Sequence, residues 1–424
     1  MPYDWTSRMT GTTQSPAPRN KAGQNADAQP LSAHAKLCIG LIIALGFTLG
    51  CSEFIVIGIQ PELAKSFGVS LAQTGLLMSC FSITYALATP ALALGTGRFK
   101  RRTLLITYCV LFCLGNLTAA LATSFAMLLA ARVLIGLVSG ALLAVGVTFI
   151  PELAGMSRIS MCVSLVYGAF SIAMVIATSA GRFIAATLDW HLALIGALAM
   201  AVIVCAALIA VLPKTGSTDE PATAREQLPL LTDARMLSSM AIFVFAVGSI
   251  YVFYGYITPY LENILGFGAL EASTALMVYG GTCFISNLLS GMLDTRFGIR
   301  ALLFTFPVQG ALLLALWTLG PTMPWAFLVI MGIGLVMYIV STPCVSLFMN
   351  TAASEYPQAL TLASSLEPTA FNTGIAFGTA VGGAVISGIG MPYVGLVGAV
   401  FSLVAWALAA LTVRLATKPT SNRF

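Results

Sequence analysis

Twelve apolar runs divide this chain, each about as long as the roughly 20 residues an α-helix needs to cross a bilayer. They fall at 38–60, 71–94, 103–123, 126–149, 160–186 and 191–212, then at 236–260, 271–292, 301–319, 323–347, 360–388 and 391–415. Charge is scarce between them: 8% of the 424 residues are charged and 58% are hydrophobic. A soluble domain carries about 25% charged residues because water-facing surface must be coated with them. Lipid is the solvent that suits a chain without that coat. The predicted fold class is therefore all-α and integral to a membrane, with twelve transmembrane helices.

The longest polar interruption, 213–235, splits the runs into two sets of six. That predicts a tail at 1–37, rich in Ser, Pro, Asn and Ala and expected to be disordered, then a six-helix bundle at 38–212 and a central loop at 213–235. A second six-helix bundle follows at 236–415, and a short tail at 416–424. The first run is too long for the core of a cleaved signal peptide and reads as a retained span. An N-terminus inside the cell puts 17 of the 20 Lys and Arg residues on the cytoplasmic side. The positive-inside rule then places both termini and the central loop in the cytoplasm.

The two sets echo each other. Gly95-Thr96-Gly97-Arg98-Phe99-Lys100-Arg101-Arg102 lies between runs two and three. Gly291-Met292-Leu293-Asp294-Thr295-Arg296-Phe297-Gly298-Ile299-Arg300 lies between runs eight and nine. A glycine-and-arginine loop at matching places in each half is what an internal duplication predicts. In this reading Gly95 and Gly291 permit tight turns, and Arg98, Arg101, Asp294, Arg296 and Arg300 make conformational-switch contacts with helix ends and charged partners.

Several classes of function fall away. No GxxxxGK[ST] loop is present to hold a nucleotide, and no large basic domain offers a nucleic-acid surface. The nine cysteines are scattered without a CxxC pair, and the two histidines lie far apart. Neither a metal site, a disulfide framework nor a catalytic set is expected, and no cofactor.

These motifs resemble the major facilitator superfamily, specifically its branch of bacterial drug/proton antiporters. Glu53-Phe54-Ile55-Val56-Ile57-Gly58-Ile59-Gln60-Pro61-Glu62-Leu63-Ala64 is similar to that branch's acidic first-helix segment. Arg132-Val133-Leu134-Ile135-Gly136-Leu137-Val138-Ser139-Gly140 resembles its fourth-helix Arg/Gly motif, and Phe371-Asn372-Thr373-Gly374 also fits. The likeness covers about 38–415. Two features depart from it: loop 2–3 lacks the signature's acidic residue, and the fifth-helix antiporter motif is worn to Ala177-Thr178-Ser179-Ala180-Gly181. Gly168–Ala177 looks closest to exporters of purine nucleosides and related metabolites. The resemblance implies a small molecule exported from a cytoplasmic (inner) membrane by proton antiport, through alternating access and by a monomer. An importer or facilitator of the same fold is the alternative.

Charge at bilayer depth costs about 2.5–3.5 kcal/mol per residue on insertion scales, so the few polar residues inside the runs are the candidate sites. Glu53 is a proton-coupling and substrate-binding candidate, with an interfacial glutamate as the plainer reading. The resemblance associates Arg132 with proton transfer; an anchor at the outer surface is its alternative. Glu367, before Pro368, is either a cavity carboxyl for coupling or a residue at the helix entry. Asn116 and Asn372 suit substrate contact or an interhelical hydrogen bond. Tyr254 and Tyr256 offer stacking faces for substrate or belong to an interfacial aromatic belt. Gly136, Gly140, Gly181, Gly374, Gly378 and Gly382 mark smooth helix faces for close packing.

Overall fold

The computed structural model describes residues 31–95, 99–155, 158–213, 228–320 and 322–417. Within them the first half folds as α1 (Ala33–Phe67), α2 (Leu71–Gly95), α3 (Arg101–Ala120), α4 (Phe125–Val147), α5 (Ile159–Thr187) and α6 (Trp190–Val211). The second half comprises α7a (Ala234–Tyr254), α7b (Ile257–Asn263), α8 (Ala269–Phe297), α9 (Leu302–Leu319), α10a (Trp325–Val336), α10b (Ser341–Glu355), α11 (Leu360–Gly388) and α12 (Val394–Thr417). Residues 1–30, Arg98, the stretch 214–227 and the end 418–424 lie outside the described residues, and with them most of both tails and of the central loop.

Eleven helical stretches among the described residues are long and apolar enough to cross a membrane. One of them, Ala269–Leu319, has 51 residues, which at about 1.5 Å per residue exceeds twice a ~30 Å hydrocarbon core. A single 3₁₀ turn, Gly298–Ala301, breaks it into α8 and α9, with Gly298 at φ 52°, where a Cβ would be strained. Among the described residues the crossings therefore number twelve, six in each half, and both ends of the bundle-forming chain lie at one end of the molecule. That end is called the termini end below, and its opposite the far end.

Helix bounds differ from the apolar runs where chemistry other than hydropathy decides. The first helix starts at Ala33, because Ser32 accepts a capping bond from Ala35 N, so 33–37 is helix rather than tail. It continues past Pro61 to Phe67, where Gly68 closes it at φ 62°. The tenth run forms two helices separated at 337–340, and the second of them extends to Glu355.

Burial separates the helices into inner and outer sets. In α1, 83% of the apolar window is buried inside the protein, against 33% in α6. In the first half α1 packs on α5 and α6, and α4 on α2 and α3. In the second, α7a packs on α11 and α12, α8 on α10a, and α9 on α12. Besides a contact of α7b with α1, the halves meet along two seams, α2 with α11 and α5 with α8. Exchanging the halves exchanges these seams, which is the geometry of a duplicated bundle.

Close packing uses glycine where backbones nearly touch. A Cβ on Gly378 would come within 2.8 Å of Gly248 Cα, and one on Gly374 within 3.0 Å of Phe243 O. Gly382 faces Val252 O, Gly136 the backbone of Phe81, Gly140 the Tyr85 ring, and Gly181 meets Ile55 Cγ1 at 3.0 Å. Overpacking a tight contact costs typically about 1–3 kcal/mol. Gly378→Val is accordingly expected to lower thermal stability by at least that much, read from the melting of the purified protein in detergent. Gly281, on α8 with nothing within 4 Å of its Cβ position, is the control, and Gly281→Val should melt close to the parent.

Prolines within helices leave a second mark. Proline has no N–H, so the carbonyl four residues earlier loses its ladder donor. Pro307 frees Leu303 O, which accepts from Trp406 Nε1 at 3.1 Å. Pro343, in the first turn of α10b, has no N–H to offer Ile339 O, which accepts from Ser290 Oγ at 3.1 Å. Both donors come from neighbouring helices of the same half.

At the termini end, Asp233 caps α7a by accepting from Arg235 N at 2.8 Å. Arg235 also binds both carboxylate oxygens of Glu355 at 2.7 Å, tying α7a to α10b. Hydrogen bonds from Arg235 hold the Asp233 carboxyl below the usual carboxylate range. A depressed folded-state pKa adds stability above the unfolded value, and that stability is lost as pH falls through the folded one. Asp233→Asn keeps the cap and removes the charge. Its melting temperature should lie below the parent's near neutrality, and the gap should close on acidification.

Candidate functional site

The site is built around a carboxyl and a guanidinium in the first half. Glu53 lies on α1, 14 residues before its end at Phe67 and so about 21 Å from it. Arg132 lies on α4, and both residues are 1% exposed. The guanidinium donates to Ser52 O at 2.7 Å, Glu53 O at 3.0 Å and Leu77 O at 3.2 Å. It also stacks over the Phe81 ring, 4.4 Å from the centroid. Arg132 thus staples α1 to α2 through backbone carbonyls. Glu53 and Arg132 feel each other electrostatically, while Glu53 Oε2 is buried without a hydrogen-bond partner in the protein.

Facing them, the second half contributes a chain of rings. Tyr279 stacks on Tyr254 at 5.2 Å, and Tyr254 meets the Tyr251 ring edge-on at 5.2 Å. Tyr251 lies 6.4 Å from Phe371, which stacks on Tyr338 at 5.7 Å. These residues come from α8, α7a, α11 and the break in α10. The first half closes on them through α5. Tyr338 donates its hydroxyl to Met174 Sδ at 3.1 Å, and the Thr178 and Tyr254 hydroxyls lie 3.5 Å apart.

Glu367 is half-buried, seven residues into α11. It lies within electrostatic reach of Tyr85, Tyr167 and Tyr338. Glu53 reaches Tyr85 and Tyr338 as well, along with Tyr251 and Tyr254. Tyr85 and Tyr338 therefore feel both carboxyls. Nearby, Asn372 donates to Pro368 O at 3.1 Å and leaves Oδ1 buried without a protein partner, as are Tyr251 OH and Ser82 Oγ. Acidic groups, polar atoms without protein partners and aromatic faces are thus gathered where the two halves meet.

Other sequence candidates sit elsewhere. Asn116 accepts from Ser52 Oγ at 2.7 Å and donates to Phe112 O at 2.9 Å, so its amide joins α1 to α3 rather than facing the rings. Tyr256 leaves the ring chain and donates to Thr379 O at 3.0 Å in the α2–α11 seam. Gly95 ends α2, and Gly291 lies inside α8; the tight turn there belongs to Gly298. Asp294 accepts from Ser346 Oγ at 2.6 Å, while Arg296 and Arg300 are exposed. Arg101 donates to Thr148 O at 2.8 Å and pairs with Glu152 at 3.4 Å.

The sequence reading overlooked Arg182. It bridges Glu62 of its own half and Glu262 of the other at the far end. The far end is further joined by Ser273 Oγ donating to Ser179 O at 2.8 Å. The signal was present in the sequence: three ionisable residues at the ends of runs one, five and seven, all on the side poor in Lys and Arg.

A family model described as Major Facilitator Superfamily matches residues 42–367. The chain is 28% identical over 353 residues to YtbD of Bacillus subtilis (strain 168), an uncharacterized MFS-type transporter, covering 83% of this chain and 89% of that protein. It is likewise 28% identical over 376 residues to the inner membrane transport protein YdhP of Escherichia coli (strain K12), covering 88% and 95%. Among solved structures it resembles a bacterial homolog of the human lysosomal transporter Spinster, in an inward-facing and unoccupied conformation. That likeness has a TM-score of 0.71 at 17% identity, covers 93% of this chain and 100% of the other, and is one of fold.

Proposed function

The chain belongs to the Major Facilitator Superfamily, as a multi-pass membrane transporter of a small molecule and not an enzyme, and on that footing we propose that it exports its substrate by proton antiport. Glu53 is the observation that carries the reading. A carboxyl with an unpartnered oxygen, buried beside Arg132 and within electrostatic reach of Tyr254, suits a site where proton and substrate compete. Glu367 is the second carboxyl for the same exchange, and Tyr254 and Asn372 are the substrate contacts.

The halves rock about the site so that it faces one side of the membrane at a time. Both termini lie in the cytoplasm, the membrane is the cytoplasmic (inner) one, and one chain suffices. The substrate is a drug or a metabolite with a ring, of which purine nucleosides and sugars are the first classes to try. A facilitator or importer remains the second reading, favoured by the worn segment Ala177–Gly181.

Inside-out membrane vesicles with an acidic lumen test the direction and the coupling. Nucleosides, sugars and amphipathic cations are added in turn while lumenal pH is followed by a fluorescent dye. Export by antiport predicts that one class dissipates the gradient and accumulates inside. Labelled substrate equilibrating across the vesicle with no proton movement would establish facilitated transport instead.

A further inference from the structure

Two prolines at the far end free carbonyls in the same way as Pro307 and Pro343, with one difference. Pro61, inside α1, removes the ladder donor of Ile57 O. Pro259, in the first turn of α7b, has no N–H to offer Gly255 O at the joint with α7a. Each carbonyl is served from the opposite half. Thr258 Oγ1 donates to Ile57 O at 2.7 Å, and Gln60 Nε2 donates to Gly255 O at 2.7 Å. Each donor stands immediately before the proline of its own half. The arrangement is reciprocal: each helix lends its pre-proline side chain to the carbonyl that the other helix's proline has freed.

We propose that Gln60 and Thr258 are the far-end latch of the transport cycle, with Pro61 and Pro259 supplying the acceptors they close on. Bonds to Leu303 O and Ile339 O stay within one half and survive any movement of the halves. Those to Ile57 O and Gly255 O cross between halves and must break when the far end opens. Gln60 and Thr258 are both wholly buried, so the closed state keeps water from competing for the freed carbonyls. The Arg182–Glu262 pair, from α5 to α7b, also crosses between the halves at the far end and adds charge to the closure. The latch holds for any direction of transport and with or without proton coupling, so its test is independent of the antiport reading.

The test places spin labels at Leu188→Cys and Leu270→Cys, exposed positions near the far ends of α5 and α8. The full chain is measured in lipid nanodiscs, with the half-buried Cys80 and Cys113 replaced by alanine. Thr258→Val strands Ile57 O and is expected to raise the ratio of long to short distances about tenfold, the scale of one unsatisfied buried acceptor. Thr258→Ser should match the parent. Adding Pro61→Ala to Thr258→Val returns an N–H to Ile57 O and should reverse most of the shift. Should Thr258→Val not fold, Gln60→Met, alone and with Pro259→Ala, is held to the same standard. An unchanged distance distribution in the single variant, or a shift that the proline replacement leaves in place, overturns the latch.

Discussion

Glu53→Gln is expected to abolish gradient-driven accumulation while sparing exchange of substrate between the two sides. The amide matches the protonated carboxyl in shape but cannot release a proton, so the site can still bind and reorient. What it forfeits is the linkage to the gradient. One pH unit across the membrane is worth about 1.4 kcal/mol per proton, or about tenfold in the accumulation ratio. A variant that only weakened binding would keep that ratio and lose rate at low substrate concentration. Counterflow of labelled substrate, compared with accumulation under an imposed gradient, separates the two. Glu367→Gln should act in the same direction and less completely, since residue 367 is half-buried where Glu53 is 1% exposed.

Arg132→Met should cost the fold more than any other single change in the site. The guanidinium serves carbonyls on two helices and the face of Phe81, and hydrogen bonds to a charged group contribute about 1.5–3 kcal/mol each. Methionine fills much of the volume and replaces none of the donors. A loss of about 3 kcal/mol or more is expected, seen as reduced folded yield and a lower melting temperature. Arg132→Lys keeps the charge but not the planar fork, and should fall between. If Arg132 acted in proton transfer alone, Arg132→Met would melt with the parent and fail only in coupling.

The membrane fold was legible because it is written in composition along the chain. A run of apolar residues bounded by charges has few alternatives in lipid, and the second run, at 71–94, matches α2 to within a residue. Bounds slipped where a cap decided them, as at Ser32 and Gly68. Glu53 and Arg132 were legible for a related reason: charges inside apolar runs are costly enough to need a purpose. The ring chain was not. Tyr254, Tyr279, Phe371 and Tyr338 meet only because four helices turn particular faces inward, and a hydropathy run carries no record of the face. Asn116 stayed open between two readings because an asparagine serving a helix contact and one awaiting a ligand look alike until their partners are seen. Gln60 and Thr258 were hidden in plain view, each beside a proline at matching places in the two halves.

The most direct test of the central claim is proton release on substrate binding, measured with the purified parent protein in weakly buffered detergent solution. Antiport at a shared site requires that binding one ligand displace the other, and linkage makes the effect reciprocal. Once the vesicle screen has supplied a ligand, the account predicts that adding it acidifies the solution for the parent and leaves it unchanged for Glu53→Gln. Saturable binding to the parent with no proton released at any pH where the protein stays folded would contradict it.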